Sequence, residues 1–254
     1  MQRLKIVNPI SRPILPIPAK GQRYELPRDF VDGLAFLKPL VQRRGTRVDT
    51  QVNLLGGKLY ILNNSLIVEY DAGGIGFRDW WFTPDVIRIL EGFDEPPTEV
   101  FHDCDNLCFR WSDGQELLVI GRNVFTPGHQ QQRMVDEAFS RFWRFDQGTV
   151  ITDGARRELR KDFNEKLYLA DIFIDGQTVA GWFGAYRGQR CIPFATNTSR
   201  VMRFDRKAFL DMIRVADEID FSVSPVCFRH AHGRGLLVER TATMVQPNMD
   251  LSDE

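Results

Sequence analysis

The chain has 254 residues, 43% of them apolar and 26% charged, with 19 phenylalanines. That is enough apolar side chain to bury real cores, and it argues against a disordered chain. Lys and Arg total 33 against 34 for Asp and Glu, a formal net charge of −1, so any nucleic-acid role has to rest on local segregation of charge.

No stretch approaches the ~20 apolar residues that span a bilayer. The opening MQRLKIVNPISRPILPIP is broken by polar residues and four prolines instead of forming a signal-peptide core. The expected location is therefore cytoplasmic, away from membranes. Cysteines at 104, 108, 191 and 227 are too few for a disulfide scaffold, and reduced thiols are expected.

In chain order, a Pro-rich leader (1–22) precedes a helix candidate at Arg28 to Arg43. VNLLGGKLYIL then reads as two strands across a Gly turn. TPDVIRILEGF, with Pro84 near its start and Val86, Ile87 and Leu90 on one side, reads as a short amphipathic helix. A hairpin follows at CFRWSDGQELLV. From about Arg122 to Gly148 runs a connector containing PGHQQQR and the helical stretch MVDEAFSRFW, which has no evident place in the pattern.

Beyond it the order recurs. TDGARRELRKDF is a helix candidate, DIFIDGQTVAGWF two strands across a Gly turn, FDRKAFLDMIRVADE a second amphipathic helix, and CFRHAHGRGLLV a hairpin. Cys108 to Val119 and Cys227 to Val238 match at seven of twelve positions at a constant offset of 119, each with a turn centred on Gly114 or Gly233, and Gly57 and Gly176 keep the same offset. The expected fold is α+β: two tandem similar domains of mainly antiparallel sheet with two helices each. The expected boundaries are 23–121 and 149–245, joined by 122–148 and followed by an acidic tail at 246–254.

The helices share a charge pattern. In TDGARRELRKDF, Ala155, Leu159 and Phe163 form an apolar stripe while Arg156, Arg157, Arg160 and Lys161 fall elsewhere. Around the later helix, Phe209, Met212 and Ile213 oppose Arg203, Arg206, Lys207 and Arg214, and Lys38, Arg43, Arg44 and Arg88 repeat the device more weakly in the first half. For any one helix this is what a solvated face looks like, and Asp162, Asp205 and Asp211 temper it. Recurrence in both halves points to a surface set aside for duplex DNA phosphates, bound without reading sequence.

The duplicated helix, strands, helix, strands plan with basic helices on sheets, and the segment FDRKAFLDMIRVADEI leading through strands to GLLVER, resemble a two-domain DNA polymerase sliding clamp. The resemblance implies a non-enzymatic processivity factor without cofactor or metal. Its helices would line a channel around DNA, its subunits would close as a homotrimer, and its partners would be a polymerase and a clamp loader. It also implies that the connector, including Arg122, Val124, Phe125, Pro127 and Gln131, borders an apolar pocket for partner peptides.

The alternative is an α+β enzyme, metal-dependent or nucleotide-processing, using His102, His230 or His232. HDCDNLC and CFRHAH carry His and Cys, but without the paired C-x-x-C spacing of structural zinc modules, and Cys108 and Cys227 read as buried strand cysteines. DAGGIGF lacks the G-x-G-x-x-G spacing, and neither a phosphate-binding loop nor a G-x-S-x-G elbow occurs. Trp80 and Trp81 read as packing residues rather than a base-stacking platform, whereas Phe139, Phe142 and Trp143 fit either a buried join or a partner pocket.

Overall fold

A computed structural model describes residues 21–240, apart from 47, 78, 104–105, 121–128, 164–170 and 183–188. In the first half, β1 (Gln22–Glu25), α1 (Phe30–Leu37), β2 (Val52–Leu55), β3 (Lys58–Leu62), β4 (Leu66–Tyr70) and β5 (Trp80–Phe82) precede α2 (Pro84–Leu90), β6 (Glu99–His102), β7 (Asn106–Arg110) and β8 (Glu116–Ile120). After α3 (His129–Phe142) the same order returns. It runs β9 (Thr149–Val150), α4 (Asp153–Phe163), β10 (Asp171–Ile174), β11 (Thr178–Trp182), β12 (Gln189–Pro193), β13 (Met202–Asp205), α5 (Arg206–Val215), β14 (Glu218–Asp220), β15 (Val226–His230) and β16 (Gly233–Leu237).

The expected α+β plan of two similar antiparallel domains with two helices each is therefore present, with a short strand added before the first helix of each copy. The first of these takes in Gln22, expected to be the last residue of the leader.

Local chemistry sets the helix starts. Thr83 and Asp205 accept hydrogen bonds from Val86 N and Ala208 N at 3.3 and 2.9 Å, and Thr152 accepts from Ala155 N at 3.2 Å, each satisfying a donor that the first turn leaves open. The Arg28 to Arg43 candidate is shorter than expected. Pro39 has no N–H to continue an α-helix, so the chain passes through a 3₁₀ turn, Lys38–Leu40, and is extended at Val41. Arg43 and Arg44 consequently lie on a loop.

Among the described residues the strands form three antiparallel sheets, ordered β1-β6-β7-β8, β12-β11-β10-β13 and β5-β2-β3-β4-β16-β15-β14-β9. The eight-stranded sheet joins the halves through β4 and β16, with Tyr70 opposite Gly233 and Leu66 opposite Leu237. Alternation places Leu59, Ile61, Leu66, Val68 and Tyr70 toward the main core shared with α1 and α5, whereas Leu55, Tyr60, Leu62, Cys227 and Leu236 face the other way. There α3 covers them with Val135 and Phe139. The connector helix thus lies over the outer face of the junction, packed by the very Phe139 and Trp143 that could have served either role.

Two registers differ from the sequence alignment. Phe109 pairs with Leu117 and Phe228 with Gly235, so β8 and β16 correspond at an offset of 118, not 119. The first hairpin has one more loop residue: Trp111 N donates to Gln115 O at 3.0 Å around Ser112–Gly114, with Gly114 at φ +85°, while His230 pairs with Gly233 across Ala231–His232. Gly233 is accordingly not a turn centre but the first residue of β16. In the earlier hairpin, Leu54 pairs with Leu59 and Ile174 with Val179, which aligns Gly176 with Gly56 rather than Gly57. Gly56 and Gly57 both have positive φ, 54° and 82°, as a tight two-residue hairpin turn requires.

Candidate nucleic-acid and partner interfaces

Helices α4 and α5 pack on each other, as do α1 and α2. At the boundary between the halves, a cleft of about 830 Å³ gathers Arg43 and Arg44 from the loop after α1, Arg160 from α4, and Arg206, Lys207 and Arg214 from α5. Six of the twelve expected DNA-contacting residues therefore converge from segments far apart in sequence. Asp205 and Asp211 share the cleft, and Lys207 Nζ lies 2.5 Å from Asp211 Oδ2. Burial pushes the Asp211 carboxyl above its ordinary range, against the pull of Lys207 and Arg214. Burial lowers the Arg214 guanidinium, and the neighbouring charge of Arg160 lowers it further. That mutual repulsion is what a bound anion relieves.

The other six fare differently. Arg157 and Lys161 are exposed on α4. Arg156 is folded inward, its side chain only 19% exposed, and its guanidinium donates to the carbonyls of Ile213, Arg214 and Ala216 at 3.2, 2.5 and 3.0 Å. It caps the C-terminus of α5, where a cation satisfies orphan carbonyls and opposes the helix dipole. Arg203 pairs with Asp171 at 2.5 Å beside Arg240, which bridges Asp171 and Asp205. Lys38 is bound to Glu91, and the exposed Arg88 to Asp85 at 2.9 Å.

A second concavity, about 320 Å³, opens between α3 and the outer face of β3 and β4. Val48, Leu62, Ile67, Met134, Val135 and Ala138 give it an apolar wall, and Gln131 stands at its edge. Of the connector residues expected at a partner pocket, Gln131 lines this site, while Arg122, Val124, Phe125 and Pro127 lie outside the described residues. Met134, Val135 and Ala138 were not singled out by sequence, although an apolar stripe on a helix inside a connector was the signal available.

The histidines of the enzyme reading take packing roles, His230 and His232 together against Tyr70 and His102 elsewhere. His102 is buried with its ring edge-on to Phe77 and Trp80. His230 is buried, bonded to the Glu69 carbonyl at 2.9 Å, and burial lowers its pKa. His232 stacks on Tyr70. Cys108 and Cys227 are buried on β7 and β15. Among the described residues, no group of three or more His, Cys, Asp or Glu side chains could hold a metal ion, and no helix is long and apolar enough to cross a membrane.

Paired helices on one face of a sheet that runs on from one repeated domain into the next define the sliding-clamp fold. Solved structures bear this out. The chain is similar to the β sliding clamp of C. crescentus (TM-score 0.64, 12% identity, covering 91% of this chain and 69% of that one). It is similar also to the DNA polymerase III β subunit of Thermotoga maritima (0.62, 12%, 91% and 68%) and to the Helicobacter pylori β clamp bound to a DNA ligase peptide (0.60, 10%, 90% and 68%). At the level of sequence, no protein-family profile and no curated protein matches the chain.

Proposed function

We propose that this chain is a DNA sliding clamp: a non-enzymatic processivity factor that encircles duplex DNA as a homotrimer and tethers a polymerase and other replication proteins. The observation that carries the reading is the basic cleft at the boundary of the two helix pairs, on a fold shared with bacterial clamps. Residues 23–121 and 149–245 act as the two clamp domains, with 122–148 as connector, so three chains present six similar domains around a hole. Arg43, Arg44, Arg160, Arg206, Lys207 and Arg214, with Arg157 and Lys161 beside them, meet phosphates without reading bases, which permits movement along any sequence. The apolar pocket beneath α3 receives a partner peptide, a role supported by the DNA ligase peptide on the H. pylori clamp. A clamp loader opens the ring.

The test is the retention of the protein on circular DNA and its stimulation of a polymerase, with Arg43, Arg44, Arg160 and Lys161 replaced together by Ala. Retention should fall and become less steep in salt, while thermal stability stays nearly unchanged because exposed charges contribute little to folding. Arg156→Ala should do the reverse, lowering stability by ~1–2 kcal/mol through the lost cap with little effect on DNA. A quadruple variant that still supports processive synthesis would overturn the assignment of this cleft.

A further inference from the structure

The described chain leaves off at the mouth of the basic cleft. After β16, Val238 N donates to Ser65 O and Arg240 N to Arg203 O, each at 2.8 Å, and the Arg240 guanidinium is held by Asp171 and Asp205 at 2.6 Å. Asp205 is also a wall of the cleft. A polar recess of about 260 Å³ connects the two: Arg240 lines it together with Asp205, Lys207 and Asp211, and these last three are shared with the cleft. The segment that follows Arg240 therefore starts beside the cations of α5.

That segment is residues 241–254, TATMVQPNMDLSDE, outside the described residues. Nine uncharged residues come first, Asp250, Asp253 and Glu254 lie beyond them, and the segment contains no Lys, Arg or His. Ten residues of chain reach up to ~33–36 Å. Arg160, Arg206 and Arg214 line the same concavity as Lys207, so all of them fall within that reach.

Charge decides between the two concavities near Arg240. The cleft sets six cations against the two carboxylates of Asp205 and Asp211. Burial and the Arg160 charge both disfavour the ionised form of Arg214, so an added anion stabilises it. The apolar pocket beneath α3 has Asp49 as its one charged lining residue and offers a carboxylate no counter-charge. We propose that Asp250, Asp253 and Glu254 fold back into the basic cleft of their own chain and occupy it in place of DNA phosphates, so that duplex DNA has to displace them. On a short tether the three carboxylates act at an effective concentration on the order of mM. That is enough to exclude weakly bound anions and too little to resist a duplex, which brings many phosphates at once.

The inference rests on the DNA role proposed above, and its test separates the two. In the full chain, Asp250→Asn, Asp253→Asn and Glu254→Gln together should tighten binding of a random-sequence duplex at low salt by about three- to tenfold. The gain should shrink as salt rises, because salt screens the tail as well as the DNA. A carbodiimide, which joins carboxylates to amines without a spacer, should link the wild-type tail to Lys207 or Lys161 within one chain, as judged by mixing isotopically light and heavy protein, and duplex DNA should suppress the link. Should wild type bind DNA and the triple variant bind it no tighter, or should the tail link only to Lys58 on the outer face of the sheet or only between chains, the inference is overturned and the DNA role stands. Failure of both proteins to bind duplex DNA at low salt would overturn the DNA role, and with it the competition that the inference states.

Discussion

The inner junction between β4 and β16 and the edges of β8 and β12 are built from corresponding strands, yet among the described residues only the inner one is sealed. Glu69, buried there, lies 3.2 Å from both Lys58 Nζ and Arg234 Nε and accepts from the Tyr60 hydroxyl at 3.0 Å. Burial, and then the Glu69 charge, raise the Tyr60 hydroxyl far above its ordinary pKa and keep it a donor. The Arg234 guanidinium sits 4.4 Å from the Phe139 ring centre and 5.2 Å from that of Trp143, so α3 is fastened across the junction by apolar packing and by cation–π contact. At the outer edges the corresponding positions hold Glu116 and Cys191, and Glu116 is turned to Arg110 of its own hairpin at 2.7 Å. One junction is a permanent weld within a chain. The open edges offer only backbone groups and a few apolar side chains.

The sharpest way to break this contrast is Gly235→Val. A Cβ at that position would stand 2.1 Å from the Phe228 ring and 2.5 Å from the Ile67 carbonyl of the facing strand. The inner junction should lose ~3 kcal/mol or more from overpacking, read as a lower urea midpoint. The corresponding Leu117 already carries a side chain at the outer edge.

Next in size is Phe139→Ala, which uncovers the outer face of the junction and should cost ~3 kcal/mol. Leu118→Ala, in half-exposed β8, should cost the monomer less than ~1 kcal/mol but weaken assembly in sedimentation. Equal effects of the two on the monomer would erase the distinction.

The smallest expected effect is acid sensitivity. Burial lowers the His230 pKa in the folded chain, so below its ordinary value of ~6.5 the unfolded chain takes up the proton more readily, and stability falls as pH drops through that point. His230→Gln should flatten the melting temperature between pH 7.5 and 5.5 relative to wild type.

Much of the fold was legible because the duplication is written in local patterns. The Gly turns, the CFR hairpins and the amphipathic helix over Phe209, Met212 and Ile213 each follow from alternation or 3.6-residue spacing. The one-residue slips at Gly114 and Gly56 were hidden, since a change of hairpin loop leaves composition intact while moving every pairing after it. β1, of four mostly polar residues, and β9, of two, are too short to show a period.

Of the site, the basic character of α4 and α5 was readable, but the fate of each charge was not. Arg156 and Arg160 sit four residues apart on one helix, and only tertiary contact makes the first a cap on α5 and leaves the second in the cleft. The role of α3 depends on a partner surface assembled from β3, β4, β15 and β16, which no window of sequence contains.

The carboxylates of Asp205 and Asp211 inside the cleft bear on how a clamp travels. An unrelieved cluster of six cations would hold each passing phosphate in a deep well, and the clamp would creep from one trap to the next. With Lys207 already shared with Asp211, the potential that a strand in the cleft would meet is shallower and its ripples smaller. In the proposed ring, retention comes from enclosure and the charge serves as a lubricated bearing, with friction set by how many cations the acids leave available. The salt dependence of DNA binding reads that number directly, and its slope should correspond to fewer phosphates per subunit than the eight cations proposed to meet DNA.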